Sequence, residues 1–103
     1  MQFVTTFATF ATLAAIGGCQ SITKVNDFNA GPTKLGMYTY VPKTLANPAP
    51  IIVAVHHCQG SATAYSTESH LMPLADKHGF IVVFPNSRSS GGCFDVASQA
   101  STC

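Results

Sequence analysis

Two uninterrupted apolar runs, Ile51–Val55 and Ile81–Phe84, limit what this chain can fold into more than any other feature. A strand with one face in water alternates polar and apolar residues. A strand with no polar residue expects cover on both faces, the pattern of parallel sheets in α/β proteins. Between the two runs, Leu71, Leu74, Ala75 and His78 recur at helical spacing, Pro73 suits the first turn of that helix and Gly79 suits its C-terminal cap. Strand, loop, helix and strand in this order predict a parallel βαβ unit with a right-handed crossover, and hence an α/β fold class. Upstream, Leu35–Val41 alternates, is rich in β-formers and stops at Pro42, so it predicts a further strand entered by a turn at Gly31-Pro32-Thr33. Leu45–Pro50 holds two prolines, which donate no ladder hydrogen bonds, and predicts a loop.

Open α/β sheets bind ligands beyond the carboxyl ends of their strands. His56–Ser61 leaves the first apolar strand at that end, and Asn86–Cys93 leaves the second at the same edge. The polar cluster His56, His57, Cys58, Gln59 and Gly60 therefore stands where such proteins keep their chemistry. His56, His57, Cys58 and the later His70 are zinc-ligand types. Consecutive residues on an extended chain point to alternate sides, however, and structural zinc sites space their ligands by about two to four residues. With no second ligand cluster in the chain, no metal site is expected. A strand followed by His-x-x-x-Gly also has the form of the loop between the third strand and first helix of α/β-hydrolases. That loop aims a backbone N–H at the charge that develops on a substrate carbonyl oxygen. The plainer alternative is an ordinary βα loop in which His56 caps or packs.

A formal charge of +1 with 9% charged residues leaves no electrostatic footprint for nucleic acid. Met1–Ile16 is apolar and threonine-rich, shorter than the roughly 18–20 residues that span a bilayer, and is followed by Gly17-Gly18-Cys19. Residues 1–19 are thus expected to be a secretory signal peptide, with Ala15-Ile16-Gly17 as a cleavage tripeptide and no membrane partner for the mature chain. No Lys or Arg precedes the run, so a buried N-terminal helix and a lipoprotein box at Ile16-Gly17-Gly18-Cys19 stay open as alternatives. Secretion leaves a domain of roughly eighty residues, marginal in the surface it can bury. Outside the cell, the four cysteines allow three full disulfide pairings, and three cysteines remain if cleavage falls beyond Cys19.

Five blocks, in order, carry a wider resemblance: Ser21-Ile-Thr-Lys-Val-Asn-Asp-Phe28, Met37-Tyr-Thr-Tyr-Val-Pro42, His56-His-Cys-Gln-Gly60, Leu74-Ala-Asp-Lys-His-Gly-Phe-Ile-Val-Val-Phe-Pro85 and Gly91-Gly-Cys-Phe-Asp-Val96. Together they resemble the start of fungal acetylxylan esterases of carbohydrate esterase family 1, whose relatives include feruloyl esterases and polyhydroxybutyrate depolymerases. The resemblance implies that residues 20–103 are the N-terminal part of an α/β-hydrolase domain, an incomplete fold of N-terminal strands plus one βαβ unit. It also implies secretion, hydrolysis of ester substituents on plant-wall xylan (acetylated or feruloylated) and no cofactor. Carried over residue by residue, it gives the Cys58 backbone N–H to the oxyanion hole, within the loop of His56, His57, Gln59 and Gly60. His57 stands where many relatives carry glycine or tyrosine. Tyr65 matches an aromatic patch after the loop, with ordinary packing as its plainer role. Both Cys58 and Cys93 are retained, which implies a bridge between the two loops.

The nucleophile of such enzymes sits in a Gly-x-Ser-x-Gly elbow, followed in the chain by the acid and the histidine. No two glycines in this sequence lie four apart, and His56, His57, His70 and His78 all precede the point where an elbow would begin. The 103 residues therefore hold about half an oxyanion hole and no Ser/Asp/His triad. At family level the expectation is a secreted serine carboxylic-ester hydrolase, with this stretch inactive alone. The alternative is a small secreted non-catalytic protein that uses a truncated hydrolase scaffold for binding or interaction.

Overall fold

The structure, a computed structural model, describes residues 20–28 and 30–97. The expected signal segment, Cys19 and Cys103 lie outside the described residues. Four strands and two helices follow in chain order: β1 (Thr23–Val25), β2 (Gly36–Tyr40), β3 (Ile51–Val53), α1 (Ala62–Glu68), α2 (Leu71–His78) and β4 (Ile81–Asn86). The strands form one sheet in the order β1-β2-β4-β3. β1 pairs with β2 and β2 with β4 in antiparallel fashion, whereas β3 and β4 are parallel, with Ile51 opposite Ile81 and Val53 opposite Val83. This is a mixed, open sheet with the βαβ unit at one side, a partial α/β-hydrolase-like fold.

β4 is central, and its apolar run resolves into two faces. Val82 and Phe84 are fully buried in a cluster with Ala54, Ala62, Ala75 and Phe80, while Ile81 and Val83 on the other face are half-buried. The helices contribute alanines to this cluster, Ala62 from α1 and Ala75 from α2, and these small side chains let both helices approach β4 closely. No apolar periodicity predicts α1. It buries only Ala62 and Ser66, too little apolar surface to register as a stripe, and it starts because Ser61 accepts the Ala64 N–H at 3.2 Å as an N-cap. α2 ends at Gly79, which takes φ +73 and donates its N–H to the Ala75 carbonyl at 2.7 Å. A Cβ at Gly79 would also collide with the backbone of Ala46, whose N–H donates to the Gly79 carbonyl and straps the Leu45–Pro50 loop to the helix end.

Two expectations need correction. Among the described residues, the run Ile51–Val55 is not covered on both faces. β3 is only three residues long, lies at the sheet edge, and leaves Ile51, Val53 and Val55 exposed by 63%, 61% and 52%. An apolar run reports what a strand is suited to meet, not whether a partner is within reach. Leu74 is also exposed: α2 turns Met72 and Ala75 inward, with Leu71 half-buried beside them. Because β3 has, among the described residues, an unpaired backbone edge and an open apolar face, the 103 residues on their own should self-associate. The double substitution Ile51→Lys and Val53→Lys should raise the monomeric fraction in sedimentation velocity. An unchanged size distribution would show that association runs through another surface.

At the opposite end of β2, the Tyr40 hydroxyl donates to Asp76 of α2 at 2.6 Å, and Gln20 reaches the other oxygen of the same carboxylate. Burial, reinforced by the hydrogen bond to Asp76 and by its charge, raises the Tyr40 pKa above its ordinary value against a smaller lowering from Gln20. A raised folded-state pKa contributes stability that is complete below the unfolded value and is lost as pH rises through the folded one. This latch therefore loosens as the pH rises through the Tyr40 pKa. Among the described residues, no helix is long and apolar enough to cross a membrane.

Candidate functional site

Parallel pairing of β3 and β4 sends both loops out at one edge of the sheet, and there His56–Ser61 and Ser87–Cys93 are tied together. His56 is 3% exposed. Its Nε2 accepts the Ser87 N–H at 3.1 Å, and its Nδ1 lies 2.7 Å from the His57 carbonyl oxygen. A neutral imidazole has one donor and one acceptor nitrogen. Since Nε2 accepts, Nδ1 carries the proton and donates to His57, so the hydrogen bonds set a single tautomer. The Phe94 ring, its centroid 4.6 Å from that of His56, closes over the imidazole.

The second tie is covalent, a disulfide between Cys58 and Cys93 with Cα atoms 4.1 Å apart. The third is steric. Gly92 takes φ +65 and comes so close to the facing loop that a Cβ there would stand 3.0 Å from the Gly60 carbonyl oxygen. Within the second loop, the Ser87 and Ser89 hydroxyls both donate to the Cys93 carbonyl at 2.6 Å, and the Cys93 N–H donates to Ser89 Oγ at 3.1 Å. Asn86 completes the frame: its Oδ1 accepts the Ala62 N–H at 2.7 Å and its Nδ2 donates to the Ser87 carbonyl at 3.0 Å. The end of β4 is thereby joined to the first turn of α1.

The segment between these anchors is a β-turn, His57 to Gly60, closed by the Gly60 N–H donating to the His57 carbonyl at 3.0 Å. Gln59, its third residue, has φ +66, whereas Cys58, its second, does not have positive φ. That combination defines a type II turn, whose third position normally holds Gly or Asn. A side chain in this left-handed region costs about 1–2 kcal/mol. The disulfide, the His56 hydrogen bonds and the close Gly92 contact hold the turn against that cost. His57 is not among the positive-φ residues, so a side chain at this position brings no backbone strain. It is largely solvent-exposed, 3.9 Å from Glu68 in a pair of little energetic weight. Among the described residues, no acceptor takes the Cys58 N–H.

The other sequence candidates lie apart from this arrangement. His70 precedes α2 as an exposed residue with φ +55, and the Cys58 sulfur is committed to Cys93. Among the described residues, no three His, Cys, Asp or Glu side chains gather at one point. Tyr65 is half-buried against the core cluster. Sequence reasoning missed the supporting residues Asn86, Ser87, Gly92 and Phe94. No local signal marks them, because each acts on a residue of the segment from His56 to Ala62, about thirty positions away. His56→Asn keeps a donor near Nδ1 but removes the Nε2 acceptor, leaving the Ser87 N–H unpaired at a cost of about 1–3 kcal/mol. Amide exchange should accelerate at Ser87 in this variant. Unchanged exchange would mean that His56 does not hold the second loop.

No family model matches the chain. Among curated proteins, it is 51% identical over 81 residues to a probable acetylxylan esterase A of Aspergillus clavatus, a match that covers 79% of this chain and 26% of that protein. It is 48% identical over 80 residues to acetylxylan esterase A of Aspergillus awamori, covering 78% and 26%. The solved structure of an acetyl xylan esterase from Aspergillus awamori superposes with a TM-score of 0.71 at 47% identity, covering 77% of this chain and 29% of that one. The chain thus spans about a quarter of the length of the relatives it matches. Over most of its own length, this chain is homologous in sequence and alike in fold to about a quarter of the length of the fungal acetylxylan esterases.

Proposed function

We propose that these residues supply the oxyanion loop of a secreted serine carboxylic-ester hydrolase that removes acetyl or feruloyl groups from xylan. The observation that carries this reading is the Cys58 N–H, without an acceptor among the described residues, on a turn held by the Cys58–Cys93 disulfide and the His56–Ser87 hydrogen bond. When a nucleophile attacks an ester carbonyl, the oxygen gains negative charge, and a donor already aimed at it stabilises the transition state without reorganising. β3 behind the turn, α1 ahead of it and the cross-loop bridge give Cys58 that rigidity. The names of the relatives, acetylxylan esterases, support the ester substrate and the polysaccharide carrying it. Secretion rests on the apolar segment 1–19, and mass spectrometry of the extracellular product should find a new N-terminus between Gly17 and Ser21.

The reading assigns no covalent step to these residues, since the sequence contains no Gly-x-Ser-x-Gly elbow. The 103-residue chain should hydrolyse p-nitrophenyl acetate no faster than an equal concentration of free imidazole groups. Labelling of a serine in it by a phosphonate would contradict this. A chimera in which the chain replaces its homologous quarter of the Aspergillus awamori enzyme should deacetylate xylan. A folded but inactive chimera would overturn the assignment of the loop.

A further inference from the structure

Three of the chain's five Lys and Arg residues line one recess: Lys24 at β1, Lys34 in the turn before β2, and Arg88 in the loop after β4. The recess holds about 120 Å³. Phe28 and Asn26 also line it, but none of the chain's four carboxylates does. Among the described residues, none of the three cations forms an ion pair with a carboxylate. Asp76 is held by Tyr40 and Gln20 at the other end of β2. Lys34 is fixed by its turn, with φ +50 and its N–H donated to the Gly31 carbonyl at 3.2 Å. A chain of formal charge +1 thus gathers most of its positive charge around one small hollow, where the like charges repel until an anion enters.

The location of the recess gives this charge a use. Val25 pairs with Met37, and Gly36 pairs with Asn86, so the recess lies at the sheet edge where β4 delivers its loop. Arg88 follows Ser87 directly, and the Ser87 N–H is the one that His56 holds. The cationic recess and the Cys58 turn therefore lie at the same end of the sheet, on either side of the loop after β4. We infer that the recess is a subsite for a carboxylate carried on a sugar chain, a uronate residue, bound while an ester elsewhere on the same chain reaches the Cys58 turn. The lysines and Arg88 take the carboxylate, the Asn26 amide offers a donor and an acceptor to ring hydroxyls, and the Phe28 ring offers an apolar face to the sugar. The role within an ester hydrolase rests on the reading above, whereas the binding itself does not and is measured without catalysis.

The test titrates the 103-residue chain with a short galacturonate oligomer, a neutral xylo-oligomer of equal length and inorganic phosphate, following amide shifts of Lys24, Lys34 and Arg88. The galacturonate oligomer should shift all three and bind more tightly than either competitor. Lys24→Ala with Lys34→Ala should weaken it about tenfold, and Arg88→Glu should abolish it. Lys43→Ala with Lys77→Ala, both outside the recess, should change nothing. Equal binding of the neutral oligomer, tighter binding of phosphate, or equal weakening by the Lys43/Lys77 pair would each overturn the subsite. If the chain aggregates, the same titrations in the Aspergillus awamori chimera decide it by the same outcomes. An inactive chimera that binds uronate refutes only the esterase reading; an active one that does not refutes only the subsite.

Discussion

In the chimera with the Aspergillus awamori enzyme, Cys58→Pro should lower kcat about 10²–10³-fold below Cys58→Ala, the loss expected when one oxyanion donor is removed. Both substitutions abolish the bridge to Cys93, so their ratio isolates the backbone N–H. The comparison is clean because Cys58 is the second residue of a type II turn, where proline is common and its fixed φ is already suited. Proline also restricts the preceding residue to extended conformations, so His57 must tolerate that restriction. Cys58→Ala itself should reduce activity by a smaller factor, because the donor survives while its frame loosens. The donor acts on charge that exists only in the transition state, so KM should move little in either variant. Equal kcat in the two variants would remove Cys58 from the oxyanion hole and leave it a purely structural role.

Phe84→Ala should cost about 3–5 kcal/mol of stability, the usual range for truncating a fully buried aromatic. Phe84 is completely buried on the central strand, between the antiparallel partner β2 and the parallel partner β3. Small domains have about 5 kcal/mol or little more to lose, so the variant should be largely unfolded at room temperature. Val96→Ala provides the control: Val96 is 86% exposed and its truncation should change stability by less than about 0.5 kcal/mol. Urea midpoints of the two variants and the parent would measure both. A Phe84→Ala midpoint close to that of Val96→Ala would mean that the cluster around Val82 and Phe84 is not the core. Because β4 leads directly to Asn86 and Ser87, the same substitution should also speed amide exchange at Ser87 before global unfolding.

The sequence by itself determined the elements whose signals are local. β2 announced itself by alternation and its proline stop, β4 by its apolar run, and α2 by helical spacing closed at Gly79. The parallel relation of β3 and β4 followed from two apolar runs separated by a helix. The loop of His56, His57, Cys58, Gln59 and Gly60 could be located because the carboxyl end of a parallel strand is defined by chain direction alone. α1 escaped because Ala62 and Ser66 are too small to make a periodic apolar stripe, and β1 because three residues are too few to show alternation. The remaining features were decided by tertiary structure. Composition left the cysteine pairing open among three full arrangements, and the resemblance alone pointed to Cys58 and Cys93. The tautomer of His56 depends on Ser87, the turn at Gln59 depends on the close approach of Gly92, and the cationic recess depends on β1 and β2 bringing Lys24 and Lys34 to Arg88. Each of these is a pairing across the sheet edge. Local spacing cannot encode them, because their partners become neighbours only after the strands have paired and set the register.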